Sequence, residues 1–334
     1  LFSSRDREFH SRRKKLISSA FSVKGLSLME DRIASVGSES LVNYLNQNLM
    51  NEESKEFDLF KLFHYNTLDV ISELIFGKNL NTTTDSQSAK FYFEGIEKTQ
   101  KLLFMRLLVP FSNLIRLPME SMFKPIILDN IQKRRSTSKT HNDILQSLID
   151  ARDPDSGEGL KDLEIVDECL VLLFAGMDTT ANTMTWTLYE ILKHPDVYRL
   201  VRDEILEKFP NLNRPISYDL ARNGLEYFDA CVLESMRKNP VGAGPMPRVV
   251  PEGGLTVNGY YLPPKTVIAM DIYSQHNDPS IWPNPLKFDI SRWLGPDRES
   301  NKSKLLSFGL GPTSCVGREL AWMEIYLVLV ELIR

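Results

Sequence analysis

The sequence predicts a mainly helical protein with a small β part, an α+β fold class, and three observations carry this prediction. Residues 1–150 show a succession of helical patterns. One apolar helical pattern of roughly 35 residues runs from about 160 to 194, where a histidine–proline pair ends it. Between 255 and 271, apolar and polar residues alternate around Asn258–Gly259, a strong hairpin signal.

The elements follow from periodicity and from the residues that end each pattern. The apolar middle of the long pattern, CLVLLFAGM, predicts a helix that crosses the core. We expect the other helices at 5–21, 66–77, 87–104, 195–208 and 217–238, a linker at 136–143, a surface loop at 151–159, an ordered meander at 272–314 and a last helix starting near Cys315.

Composition is that of an ordinary globular protein. The chain has 334 residues, of which 42% are hydrophobic and 25% charged, with a net charge of −4, so no nucleic-acid partner is expected. Its three cysteines, Cys169, Cys231 and Cys315, are too few and too far apart for a disulfide framework. We therefore expect a reducing compartment. No apolar run reaches the 18 residues of a membrane span.

Both ends of the sequence lack the usual boundary signals. The chain opens on Leu1 rather than a methionine, and it stops at Arg334 inside a helical pattern. We expect one domain over 1–334 that is only part of a longer chain.

The segment FGLGPTSCVGREL (308–320) places one cysteine in a glycine-rich loop before a helix. Its glycines, at 309, 311 and 317, allow positive φ angles. Cys315 stands where helical N–H groups favour a thiolate. No histidine or second cysteine follows at zinc spacing, whereas one axial bond to a haem iron suits a single thiolate. The alternative is a buried structural thiol.

This loop resembles the haem-ligand loop of the cytochrome P450 family, whose pattern is F-x-x-G-x-R-x-C-x-G. Phe308, Gly311, Cys315 and Gly317 match it in register, and Thr313 stands where the family usually has arginine. The resemblance implies haem b (iron protoporphyrin IX) with Cys315 as the axial iron ligand. Threonine cannot form the charge-assisted bond that arginine makes to a haem propionate.

A second match, AGMDTT (175–180), lies midway along the long helical pattern. In the family this segment handles oxygen, so the resemblance implies that Thr179 contacts dioxygen and that Asp178 supplies protons. The alternative is a glycine-weakened helix whose polar residues face solvent.

The segment ESMR (234–237) places Glu234 and Arg237 on one helix face. Taken alone it is an ordinary helical salt bridge. The family pairs this glutamate and arginine with a downstream arginine, and Arg292 in PLKFDISRW occupies that place. We expect a buried structural cluster that holds the meander.

Three further residues match positions that reach the haem propionates in the family. Arg248 lies in the segment after the Glu234 helix. Counting back from Phe21 puts His10 in the family's tryptophan position and Lys14 in its arginine position. These three side chains would offset the arginine missing at Thr313.

The basic run at 12–15, Arg12, Arg13, Lys14 and Lys15, allows two interpretations. It is either a solvated basic face or a docking surface for an acidic electron-donating partner.

The matches occur in the family's order and cover nearly the whole chain. The sequence from the Asn258–Gly259 hairpin through the meander is most like fungal members of the benzoate-hydroxylase type. The resemblance implies a monooxygenase that inserts one oxygen atom of O2 into a lipophilic small organic substrate. Its electrons would come from NADPH–cytochrome P450 reductase, with cytochrome b5 as a second donor. The expected location is the cytosolic face of the endoplasmic reticulum membrane. The resemblance also implies that the family's N-terminal anchor, its first sheet strands and a C-terminal strand segment lie outside residues 1–334.

Two other functions stay open at this point. A haem-thiolate isomerase or dehydratase needs no O2, but relatives of that kind often lose the acid–alcohol pair, and Asp178 and Thr179 are both present here. A degenerate, non-catalytic P450 fragment is the other alternative, which Thr313 and the two ends of the sequence leave open.

Overall fold

The computed structural model describes residues 6–51, 56–109, 117–137 and 141–334 of the chain. The helices are α1 (Arg7–Ser18), α2 (Val23–Ser27), α3 (Glu30–Ala34), α4 (Ser40–Asn51), α5 (Leu59–Phe76), α6 (Ser86–Leu108), α7 (Pro118–Ser136), α8 (Ile144–Asp150), α9 (Asp162–Lys193), α10 (Pro195–Lys208), α11 (Tyr218–Gly224), α12 (Glu226–Lys238), α13 (Ile272–His276), α14 (Arg298–Lys304) and α15 (Arg318–Ile333). The strands are β1 (Pro245–Val249), β2 (Leu255–Val257), β3 (Tyr260–Leu262) and β4 (Val267–Asp271). A π-helical turn covers Ser35–Glu39, and 3₁₀ turns cover Ile290–Trp293 and Gly311–Thr313. The mainly helical fold class with a small β part is confirmed.

The strands form two small antiparallel sheets. β1 pairs with β4, with Pro245 opposite Asp271 at one end of the ladder, and β2 pairs with β3. Asn258 and Gly259 join β2 to β3 with φ angles of 50° and 84°. Two consecutive left-handed residues are what a type I′ turn needs, and its twist suits a tight hairpin. The predicted hairpin is confirmed.

The described chain divides into two compact units. The first contains the described residues of Leu1–Thr185, Arg202–Leu225 and Ser314–Arg334, and the second contains Trp186–Val201 and Glu226–Thr313. Each has buried apolar side chains of its own, among them Phe63 and Ile325 in the first, Phe228 and Trp293 in the second. None of the helices in the described ranges is long and apolar enough to cross a bilayer. The single-domain assignment stays a prediction.

Several predicted elements agree with the structure, and one does not. The long helix is confirmed as α9, and the helix at 195–208 is α10. The single helix predicted over 217–238 is wrong, because Leu225 leaves the helical region, with φ −113° and ψ 88°, and separates α11 from α12. Gly224 weakens the helix before it, and the Leu225 side chain is buried. Residue 5 of the first predicted helix and residues 138–140 of the predicted linker lie outside the described residues.

The π-helical turn brings the chain close to α5. A π turn leaves carbonyl groups outside the regular helical ladder, and Asn66 donates from Nδ2 to the carbonyl of Gly37 at 2.9 Å. A Cβ atom added to Gly37 would lie 3.2 Å from Cγ2 of Val70. Glycine therefore allows the turn to approach α5 closely, and Asn66 supplies a hydrogen bond to the Gly37 carbonyl.

Helix α5 ends on a left-handed glycine that lies beside a buried ion pair. Gly77 has φ 63° and ψ 27°, and its N–H donates to the carbonyl of Glu73. Left-handed backbone costs other residues more than glycine, which explains glycine at this helix end. A Cβ atom added here would lie 2.9 Å from Nη2 of Arg134. The same Nη2 donates to Asp143 at 2.8 Å, and both side chains are buried.

We expect Gly77→Ala to lower the free energy of unfolding by more than the about 1–2 kcal/mol of left-handed strain alone, because the new methyl group also displaces Arg134 from Asp143. The matched control is Gly157→Ala, since Gly157 has φ +71° but nothing within 4 Å of its added Cβ. Denaturant unfolding of both variants measures the difference. Equal losses would show that the ion pair is not disturbed.

Candidate active site

The cysteine loop begins in the second unit with two left-handed glycines. Gly309 has φ 65° and Gly311 has φ 68°, as the sequence predicts. A Cβ atom on Gly311 would meet nothing within 4 Å, so its backbone conformation, and not a close contact, requires glycine there. The same prediction is wrong for Gly317, which has φ −84° because it is the N-cap of α15.

Cys315 lies in the first unit, two residues before that N-cap, and it is an exposed free thiol. Protein atoms still surround the sulfur closely enough to raise the pKa of Cys315 by desolvation. The Gly317 N–H and the charges of Lys14 and Arg318 act in the opposite direction. In the polypeptide by itself, desolvation therefore outweighs the stabilisation of the thiolate that the helix N-terminus was expected to supply.

Helix α1 is tied to the residue that precedes this cysteine. Nζ of Lys14 donates to the carbonyl oxygen of Ser314 at 2.7 Å and to its hydroxyl at 3.1 Å. His10 lies one turn earlier on α1, where burial and then the Lys14 charge lower the pKa of His10. The structure thus brings Lys14 to the cysteine loop and places His10 beside it. Contacts from either side chain to a propionate remain predictions.

The basic run on α1 is largely paired with acidic residues of the first unit. Arg12 contacts Asp153 and Glu158 at 3.0 Å each, and Lys15 contacts Asp155 at 3.6 Å. Arg13 is buried against Glu164. These acids neutralise much of the local positive charge. Arg12 and Lys15 are nevertheless exposed, so the solvated interpretation holds for these two residues, and docking of an acidic partner stays a prediction.

In the second unit, Arg248 lies against the threonine that replaces the family's arginine. Nη2 of Arg248 donates to Oγ1 of Thr313 at 2.8 Å, and its Nη1 donates to the carbonyl of Pro247 at 2.9 Å. Phe308 is half-buried in the turn before Gly311. A guanidinium group therefore reaches position 313 from β1, although it is not attached there.

The structure brings Glu234, Arg237 and Arg292 together, as the pattern predicts. Arg237 donates from Nε and Nη2 to the two carboxylate oxygens of Glu234, at 2.9 and 2.8 Å, and both side chains have no exposed surface. Arg292 approaches the same carboxylate at 3.3 Å. Trp293 and the backbone N–H of Asp289 also donate to it, at 2.9 and 3.0 Å. The Glu234 carboxylate therefore has a full set of donors in a dry environment.

His276 extends this cluster towards the cysteine loop, and the sequence analysis missed it. Its carbonyl accepts from Nη1 of Arg237 at 2.8 Å, and its Nε2 accepts from the N–H of Leu306 at 2.9 Å. Burial, with the Arg237 charge beside it, lowers the pKa of His276 from 6.5 to about 4. The folded protein therefore holds a neutral imidazole at this position.

Three residues of α5 face three consecutive residues of α9 in the segment that carries the acid and the alcohol. From one pair to the next, the partner on α5 lies about one turn earlier in the chain, while the partner on α9 lies one residue later. The pairs are Ile71 with Gly176 (3.2 Å to an added Cβ), Thr67 Oγ1 with the Met177 carbonyl (2.9 Å) and His64 Nε2 with Asp178 Oδ1 (3.2 Å). The close packing of Ile71 explains why a glycine occupies position 176, and polar contacts from α5 hold the next two residues of α9.

The two predicted catalytic side chains differ in their surroundings. Thr179 is exposed and donates its hydroxyl hydrogen to the Ala175 carbonyl at 2.8 Å. The side chain of Asp178 is 42% exposed and contacts His64, whose side chain is 2% exposed. Nothing in the sequence indicated His64, because a lone histidine 114 positions away from Asp178 belongs to no motif.

We expect Glu234→Gln to lower the free energy of unfolding by about 3–5 kcal/mol, because it leaves the buried Arg237 guanidinium without a counter-charge. Asp129→Asn is the control, since its ion pair with Lys133 is exposed on both sides and such pairs contribute at most about 1 kcal/mol. Denaturant unfolding at neutral pH compares the two. A Glu234→Gln loss as small as the control's would contradict the structural role.

We expect stability to fall as the pH drops from 6.5 towards 4, because the unfolded chain protonates His276 while the folded chain does not. The lowered pKa of His276 corresponds to a decrease in the free energy of unfolding on the order of 3 kcal/mol across that pH range. His276→Gln should flatten this part of the pH dependence of unfolding. His194→Gln, at a partly exposed histidine, should leave it as in the parent protein; equal slopes in parent and His276→Gln would refute the assignment.

Comparison with known proteins gives one consistent result. The family model described as Cytochrome P450 matches residues 1–334. The chain is 33% identical over 281 residues to Cytochrome P450 monooxygenase helB1 of Aspergillus fumigatus, covering 80% of this chain and 48% of that protein. It is 32% identical to Cytochrome P450 monooxygenase BOT1 of Botryotinia fuckeliana, covering 96% of this chain and 66% of that protein. It is 30% identical to Cytochrome P450 3A12 of Canis lupus familiaris, with 99% and 68% covered.

Solved structures show the same fold. A crystal structure titled as a Cytochrome P450 (CYP102L1) has a TM-score of 0.84 at 22% identity and covers 99% of this chain and 73% of that chain. The cytochrome P450DA heme domain has a TM-score of 0.81 at 22% identity, with 96% and 69% covered. The chain spans about half to two thirds of the length of the curated relatives. On the match over its whole length, this chain belongs to the cytochrome P450 family, whose cofactor is haem b.

Proposed function

We propose that the protein containing this chain is a haem-thiolate monooxygenase that inserts one oxygen atom of O2 into a lipophilic small organic substrate. The observation that carries the proposal is one exposed thiol, Cys315, in the glycine-rich loop of a chain that matches the cytochrome P450 family over residues 1–334. The monooxygenase names of the two fungal relatives support it.

The donor set around Cys315 fits the haem of this family. In the part of the chain that the structure describes, no three histidine, cysteine or acidic side chains come together as a metal-binding group. The other two cysteines are buried, and desolvation raises the pKa of Cys169. Cys315 is exposed, with one backbone N–H and two cationic side chains acting on its sulfur. A single thiolate suits one axial bond to haem iron, and binding to the metal displaces the thiol proton.

When bound, haem supplies the oxidative chemistry, and the protein positions the substrate and delivers protons. We assign proton delivery to Asp178 and the contact with dioxygen to Thr179. The Thr179 hydroxyl gives its hydrogen to Ala175, so its oxygen keeps lone pairs that can accept a further hydrogen bond. The exposed part of the Asp178 carboxyl group can exchange protons with water.

The cationic contacts to the haem propionates are assigned to Arg248, Lys14 and His10. Arg248 is the strongest candidate, because it donates to Thr313 and so brings a guanidinium group to the position where the family has arginine. Lys14 has three N–H donors, and two of its recorded contacts are to Ser314. Phe308, Gly311 and Gly317 are assigned to the surroundings of the haem by their match to the loop pattern.

The remaining parts of the proposal rest on the family. Electrons would come from NADPH–cytochrome P450 reductase, with cytochrome b5 as a second donor, at the cytosolic face of the endoplasmic reticulum membrane. This location rests on the resemblance to fungal microsomal members of the family. We also propose that 1–334 belongs to a single P450 domain, within which the two compact units are subdivisions.

Carbon monoxide difference spectra of the reduced full-length protein test this function. We expect the strongly red-shifted Soret band of a thiolate-ligated haem in the parent protein and in Cys231→Ala, a control at a buried cysteine. Cys315→Ser should lose the band because it removes the axial thiolate. Retention of the band in Cys315→Ser, or no haem band in the parent protein, would refute the proposal.

The same spectra measure the effect of the unusual threonine. We expect Thr313→Arg and the parent protein to show the band with equal amplitude per protein, because Arg248 already supplies a guanidinium group at position 313. A band that appears only in Thr313→Arg would show that the natural loop is impaired in haem binding.

A further inference from the structure

His64 connects two helices through both of its ring nitrogens. Nδ1 lies 2.7 Å from the carbonyl oxygen of Phe60, one turn earlier on α5. Nε2 lies 3.2 Å from Oδ1 of Asp178 on α9. A carbonyl oxygen only accepts hydrogen bonds, so Nδ1 carries a proton.

This arrangement requires another proton on the other side of the ring. With Nδ1 protonated, a neutral imidazole would turn the lone pair of Nε2 towards the carboxylate of Asp178, and two acceptors repel each other at 3.2 Å. Asn182 is a weaker partner, since its Nδ2 lies 3.4 Å from Nε2 and donates to the Asp178 carbonyl at 2.8 Å. A proton between Nε2 and Oδ1 resolves the conflict.

The surroundings favour placing that proton on Nε2 of His64 rather than on Oδ1 of Asp178. His64 lies between the rings of Phe60 and Phe93, with centroids 4.4 and 5.9 Å away, which fixes the ring orientation. Asp178 faces it from α9, and the carboxylate of Asp58, itself paired with Lys61, attracts a positive charge on it from the start of α5. The buried imidazole therefore contacts one carboxylate, that of Asp178, and interacts electrostatically with a second, while the half-exposed Asp178 carboxylate keeps contact with water.

We propose that His64 is a protonated positioning residue, which donates from Nε2 to Asp178 and so holds the acid of α9 in place and supplied with a proton. The inference rests on the proposed function, in which Asp178 delivers protons. No covalent step is involved: the proton passes from Nε2 to Oδ1, and solvent reaching Asp178 restores it.

Nitrogen NMR of the full-length ferrous carbon monoxide complex, labelled with ¹⁵N-histidine, tests the protonation directly. The His64 signals are identified by their absence in His64→Gln. At pH 7 we expect protons on both ring nitrogens of His64 in the parent protein and on Nδ1 alone in Asp178→Asn. His194 is the matched control, because it makes the same bond to the carbonyl one turn earlier, at 2.8 Å, and should not change in Asp178→Asn. An unprotonated Nε2 in the parent protein would overturn the proposal.

Oxygen consumption with NADPH and reductase tests the role of that proton. We expect His64→Phe, which keeps an aromatic ring beside Phe60 and Phe93 but has no donor for Asp178, to lower the rate several-fold. His64→Gln keeps a donor for Asp178 and should retain more of the rate than His64→Phe, a rescue that packing alone does not predict. His194→Gln should keep the parent rate. If His64→Phe keeps the parent rate, or if His64→Gln falls as far as His64→Phe, the role of His64 at Asp178 is overturned.

The two experiments separate this inference from the proposed function. A parent protein that forms no haem–carbon monoxide complex refutes the monooxygenase function, and the same NMR measurement on the haem-free chain then decides whether His64 is protonated. A haem protein with a neutral His64 refutes only the inference.

Discussion

The second unit depends on one buried carboxylate. Glu234 receives hydrogen bonds from two arginines, a tryptophan and a backbone N–H, all supplied by α12 or by residues 289–293. A buried charge is tolerable only when donors surround it, so these segments form together or not at all. Arg237 also donates to the carbonyl of His276, and the imidazole of His276 accepts from the N–H of Leu306. Leu306 lies two residues before Phe308. A chain of buried hydrogen bonds thus leads from α12 to the start of the cysteine loop.

A different device acts in the first unit, where polar side chains replace part of the apolar packing between α5 and α9. Gly176 removes the side chain that would hold the helices apart, and the carbonyl of Met177 and the carboxylate of Asp178 then meet a hydroxyl and an imidazole from α5. Buried polar contacts of this kind are directional, so they orient a helix about its own axis more strictly than apolar contacts do. That orientation decides where Asp178 and Thr179 point.

Much of this arrangement is readable from the sequence, and the parts that are not have a common cause. Periodicity and turn residues predict α9 and the hairpin, because both are set by neighbours in the chain. A motif with fixed spacing predicts the partners of Glu234. The contacts of His64 and of Lys14 join residues 114 and 300 positions apart, and no local pattern records them. The break at Leu225 was missed because its local signal is a single glycine, Gly224, and the burial of the Leu225 side chain that accompanies the break is a tertiary effect.

The bond between Lys14 and Ser314 also constrains how the protein is made. The ribosome synthesises α1 about 300 residues before it reaches the loop that α1 contacts. At roughly 5–20 residues per second, many seconds pass between the synthesis of Lys14 and that of Ser314. Contacts between residues so far apart in the chain also form slowly once both are present. Helix α15, which places Tyr326 beside Arg222 in the first unit, arrives later still. The link between α1 and the cysteine loop therefore cannot form before nearly all of residues 14–314 have been synthesised, so this part of the site is assembled only after the helices between them.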